Sequence, residues 1–88
     1  MNTMKIRKAS GEVVEYTKDT VMEIFSRAGL AGRELAEAGQ EVFHSGKNLA
    51  KEGVVEISDF EKLVIDTAGK VNDSVVDGVR DAAKKILA

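Results

Sequence analysis

Met4-Lys5-Ile6-Arg7-Lys8-Ala9-Ser10-Gly11-Glu12-Val13-Val14-Glu15-Tyr16 decides how this chain begins to fold. Met4 to Lys8 alternates apolar and basic residues at period two, and Glu12 to Tyr16 is β-branched and aromatic. Both are strand signals. Between them Ala9-Ser10-Gly11 predicts a three-residue hairpin loop, with Gly11 supplying the positive φ that such a loop needs. An isolated hairpin is marginal in water, so it requires a third strand or an apolar support. Val54-Val55-Glu56-Ile57 is the natural third strand.

Four helices account for the rest. Thr17 reads as an N-cap with Asp19 in the first turn, and Val21, Ile24, Phe25 and Ala28 follow at helical spacing. Gly29 and Gly32 are expected to close that helix. Leu35, Ala38, Gly39, Val42 and Phe43 form the next apolar face, with Gly46 expected to break or bend it and Leu49-Ala50 to carry it toward Gly53. Ser58-Asp59-Phe60-Glu61 has the spacing of a capping box, predicting a third helix with Phe60, Leu63, Val64, Ala68 and Val71 on one face. Asn72 or Asp73 is expected to cap a fourth, carrying Val75, Val76, Val79, Ala83, Ile86 and Leu87, with Lys84 and Lys85 in its last turn. The expected class is α+β, in the order β-β-α-α-β-α-α: a β-hairpin and a third short strand packed on four helices.

Eighty-eight residues bound this to one domain spanning residues 1–88. The starting Met and terminal helix lead to the expectation of a complete chain. Hydrophobic residues make up 43% and charged residues 32%, too apolar for disorder. No apolar run approaches a membrane span and no leader pattern opens the chain, so a cytoplasmic-type protein without membrane contact is expected. Cysteine is absent, which removes disulfides and thiolate ligation. Thirteen basic against fifteen acidic residues give −2, which disfavours nucleic acid as partner.

Few residues could carry chemistry. His44, the single histidine, has Glu41 three residues before it, a spacing more typical of a solvated surface pair than of catalysis. Asp73, Asp77 and Asp81 recur at four-residue steps; a solvated face, paired with Arg80, Lys84 and Lys85, explains them better than a divalent cation. No serine or threonine lies in a nucleophile motif, so no catalytic residue and no metal site are expected. Gly39, Gly69 and Gly78 each cost about 1 kcal/mol in a helix and point to close helix approach, inside the monomer or between copies. Lys5, Arg7 and Lys8 have two readings: charges guarding an edge strand, or, for Lys8 beside Gly11 and a helix start, a phosphate contact.

Ile6-Arg7-Lys8-Ala9-Ser10-Gly11, followed by Val14-x-Tyr16 and the helix from Asp19 through Ala28-Gly29, resembles the ATP-cone domain, the nucleotide-sensing regulatory domain of ribonucleotide reductases and of repressors of their genes. Val55 to Phe60 is similar to the segment opening that family's third helix. The element order agrees over nearly the whole chain, with about thirty residues carrying similarity. The resemblance implies a sheet lid over four helices, with ATP or dATP between them and occupancy coupled to oligomeric state. It also implies a degenerate site. Ala9 stands where the family has a phosphate-contacting Arg, and Thr20 where its first helix has Lys. Ile57 replaces the Thr before the third helix, and Glu61 a His sometimes found on it.

Under this reading Lys8 contacts phosphate, Gly11 admits the backbone approach, Ile6 and Tyr16 flank the base, Lys18 replaces the lost helix lysine, and Lys84 or Lys85 reaches in from the last helix. The expectation is a non-catalytic regulatory or accessory domain that binds ATP or dATP weakly and couples it to oligomerisation or a partner. The alternative keeps the fold, loses the nucleotide site and acts as a protein-interaction or oligomerisation module.

Overall fold

The computed structural model describes residues 3–87. Strand β1 (Thr3–Arg7) turns back into β2 (Val13–Thr17); helices α1 (Lys18–Arg27) and α2 (Gly32–Leu49) follow. A short β3 (Val54–Glu56) leads into α3 (Ile57–Val71), and a 3-10 turn (Asp73–Val75) leads into α4 (Val76–Ile86). This is the α+β order that the sequence predicts.

The hairpin closes as its residues dictate. The Gly11 amide donates to the Lys8 carbonyl at 2.8 Å and the Lys8 amide to the Glu12 carbonyl at 2.7 Å, with Gly11 at φ +94°. A type I turn followed by a left-handed glycine has this pattern. Met4 pairs with Tyr16 and Ile6 with Val14 on the inner face, while Lys5 opposes Glu15 and Arg7 opposes Val13 on the outer face.

The third strand joins on the other side of β1, parallel to it, and the sheet order is β2-β1-β3. This corrects the edge-strand reading of Lys5, Arg7 and Lys8: β1 is the central strand. Its outward charges therefore do not guard an open edge. Arg7 instead donates across the sheet to Glu56 at 2.9 Å.

Helix α1 starts as expected, with the Thr17 hydroxyl accepting from the Thr20 amide. Its end is a Schellman cap: Gly29 sits at φ +109°, its amide donates to the Ser26 carbonyl, and the Leu30 amide donates to the Phe25 carbonyl. Leu30 is thereby tucked into the core at 3% exposure, a core position that the helical periodicity alone does not show.

Three further expectations are corrected. Gly32 does not help to close α1 but is the first residue of α2. Gly46 does not break α2, which runs through to Leu49. The glycine is there because Met4 of β1 packs against it: a Cβ at position 46 would stand 2.9 Å from the Met4 sulfur. The Ser58–Glu61 capping box does not form, because β3 ends at Glu56 and α3 begins directly at Ile57 with no side-chain cap. Asn72 does cap the next segment, its side-chain oxygen accepting from the Ser74 amide at 3.1 Å. The capped turn is 3-10, however, and α4 starts four residues later.

The core joins one face of the sheet to the four helices through Ile6, Val55, Val21, Ile24, Phe25, Val42, Phe60, Val64 and Val79, each at 1% exposure or less. Gly39 and Gly78 mark close approaches within the monomer, whereas a Cβ at Gly69 would meet only Val76, at an ordinary 3.7 Å. A Cβ at Gly39 would stand 3.1 Å from Met22 of α1, and one at Gly78 would stand 3.2 Å from the Ala28 Cβ at the end of α1. No helix among the described residues is long and apolar enough to cross a membrane.

Candidate functional site

The residues expected to hold a nucleotide come from four different elements. Ile6 points inward from the central strand and has no accessible surface. It cannot flank a base while the sheet sits where it does. Tyr16 is half-buried on the inner face of β2, with its ring stacked on Phe60 of α3 at 6.0 Å between centroids and 16° between planes. Its flat face is thus already in contact with an aromatic ring of this chain.

Lys8 and Gly11 do come together, as the first and fourth residues of one turn joined by the hydrogen bond between them. Lys8 is half-buried there and Gly11 is exposed. Lys18 opens α1, and its stem runs along α2, with Cε 3.6 Å from where a Gly39 Cβ would be. Lys84 is exposed in the last turn of α4, a helix packed on α1 and α3.

Ile6, Val55 and Phe60 are buried together in the core that joins the sheet to the helices, with the Tyr16 ring stacked on Phe60 of α3. Three of the surface cavities among the described residues lie elsewhere. The largest, about 850 Å³, runs along the outer side of α3 between the end of α2 and the start of α4. One of about 430 Å³ lies where β1 crosses α2, beside Met4, Phe43 and Gly46. A third, about 350 Å³, is a shallow dip on α2 at Glu37, Gln40, Glu41 and His44. None of the three is lined by Ile6, Lys8, Gly11, Tyr16, Lys18 or Lys84.

The remaining candidates resolve into local pairs. Glu41 accepts from the Ser45 hydroxyl at 3.0 Å, a bond along α2. Asp77 pairs with Arg80 at 3.2 Å, and Asp73 lies outside α4 in the 3-10 turn, so the three-aspartate stripe is not one helical row. Among the described residues no group of three His, Asp or Glu side chains converges as a metal would require.

Neither the hairpin pattern nor the family resemblance points to the outer side of α3. Asp59, Lys62, Asp66 and Lys70 lie there, all exposed, with half-buried Leu63 and exposed Leu49 of α2 beside them in the large groove. The signal was available: acidic and basic residues alternate at steps of three and four opposite Phe60, Val64, Thr67 and Ala68, the buried face.

No family model matches the chain, and no curated protein or solved structure matches it either.

Proposed function

We propose that the chain is a non-catalytic accessory domain that works through contact with another protein, on an ATP-cone-like frame whose nucleotide site has fallen out of use. The packing between sheet and helices carries this reading. Ile6 has no accessible surface and the Tyr16 ring is stacked on Phe60, so the two residues that would flank a base are already engaged in the chain's own packing. A triphosphate also brings several negative charges, which need several cations or amide donors to offset their desolvation. The lysines in question are spread over the β1 turn, the start of α1 and the end of α4. A groove of about 850 Å³ lies on the far side of α3.

A second reading, weak binding of ATP or dATP coupled to assembly, draws on one observation: Lys8 and Gly11 share a single turn. Amide chemical shifts followed during titration with ATP and with dATP separate the two. The interaction reading predicts no movement at Lys8, Gly11 or Tyr16 up to millimolar nucleotide. Saturable movement at all three would restore the nucleotide site and overturn it.

A further inference from the structure

We infer that the outer face of α3 docks against the same face of a second copy of this chain, the two helices antiparallel about a two-fold axis. The inference rests on the interaction reading above and names its partner. Asp59, Lys62, Asp66 and Lys70 form a stripe of alternating sign along the exposed side of this helix. Among the described residues none of the four closes an ion pair within 4.0 Å, although they stand at helical-neighbour spacing. The middle pair is also in the poorer order for pairing along its own helix, since Lys62 precedes Asp66.

The stripe is complementary to its own reverse. A two-fold axis crossing α3 near Val64 and Ile65 sets Asp59 opposite Lys70 of the other copy and Lys62 opposite Asp66, and each pair occurs twice. Parallel helices in register would set like charge against like at every step. A two-fold arrangement is also closed, so it makes a dimer rather than a filament. Apolar surface lies on the flank of the same groove: Leu63 stands beside the axis, and Leu49 at the end of α2 is left exposed at 41%.

One helix face of fifteen residues is a small interface, so the dimer should be weak, with a dissociation constant of ~10–500 μM. The test uses two charge variants of the full chain: Lys62→Glu with Lys70→Glu, making the stripe wholly acidic, and Asp59→Lys with Asp66→Lys, making it wholly basic. Four exposed trans pairs together account for roughly 10- to 100-fold in association. Sedimentation equilibrium should show each variant alone associating at least about tenfold more weakly than the unaltered chain. An equal mixture of the two should recover association at or above the original level. Circular dichroism verifies folding, and the single change Asp66→Asn, which adds no repulsion, serves in place of a variant that fails to fold.

Variants that associate like the unaltered chain, or a mixture no better than its components, would overturn the α3 interface while leaving the interaction reading in place. An unaltered chain that stays monomeric to millimolar concentration would overturn it too. Monomer together with saturable nucleotide shifts would remove both.

Discussion

Replacing Phe60 by alanine should remove a large part of this domain's stability. Phe60 has no accessible surface, lies on the buried side of α3 beneath the sheet, and carries the stacked Tyr16 ring. Truncating a buried phenylalanine costs about 3–5 kcal/mol, the lost transfer energy plus the cavity left behind. A chain of eighty-eight residues has roughly 4–13 kcal/mol in total. The variant should therefore lose about a quarter or more of its stability, and at the bottom of that range it would be partly or wholly unfolded at room temperature. Urea unfolding is the assay. With an m-value near ~1.5 kcal/mol/M the midpoint should fall by roughly 2–3 M at constant m.

A double-mutant cycle with Tyr16→Leu, which keeps apolar bulk and removes the ring, should show coupling of about 0.5–1.5 kcal/mol from the aromatic pair. Phe60→Ala costing less than about 1 kcal/mol, far below the range for buried phenylalanines, would refute the reasoning. So would costs for the two changes that add within the ~0.3–0.5 kcal/mol seen for independent sites. Either result would mean that the sheet does not close on α3 and that a cleft stands open between them.

Other substitutions probe separate contacts. Gly78→Val should cost about 1–3 kcal/mol, because its Cβ would stand 3.3 Å from the Ala28 Cα and backbone cannot swing away as a side-chain tip can. An unchanged melting temperature would mean that α4 does not rest on α1 at that point. Gly11→Ala should cost about 1–2 kcal/mol through its φ of +94° alone, since nothing lies within 4 Å of the added methyl. Gly11→Asn should cost less, and equal costs measured by thermal unfolding would contradict the turn. Arg7→Met breaks an ion pair whose two side chains are about half exposed, so solvent and salt screen it. The loss should be at most ~1 kcal/mol at low salt and vanish near ~1 M salt. A loss above ~2 kcal/mol would show the pair to be stronger than exposure permits.

The parts of the fold that were legible are those set by local pattern. Alternation in Met4–Lys8 and the left-handed glycine in the loop specify a hairpin before any distant contact forms. The apolar rows of the helices likewise announce their buried faces. What the sequence hides is set by contacts between segments. Nothing near Lys5 or Arg7 tells which side of β1 the third strand will take, and the strand's charges read equally as an edge or as the outer face of a centre. Gly46 looks like a helix breaker until Met4, forty-two residues earlier, is seen packed against it. Ser58 and Glu61 have the right spacing for a cap, but β3 delivers the chain into helical geometry one residue before the serine.

The site behaves the same way. Lys8 and Gly11 were legible together because they belong to one turn. The burial of Ile6 and the stacking of Tyr16 on Phe60 depend on how the sheet meets α3, which no local spacing encodes. The charge stripe on α3 was written plainly at helical steps, yet it gains meaning only once its opposite side is seen to be the core.

The most direct test of a domain that assembles through its own α3 face, without help from a bound nucleotide, is its mass at sedimentation equilibrium. The measurement spans ~10 μM to ~1 mM protein, bracketing the weak interface expected of one helix face, with and without millimolar ATP. The account predicts a mass that climbs from 9.5 kDa toward twice that value as protein concentration rises, along the same curve whether or not ATP is present. A mass fixed at the monomer value throughout, or one that changes when ATP is added, would contradict it.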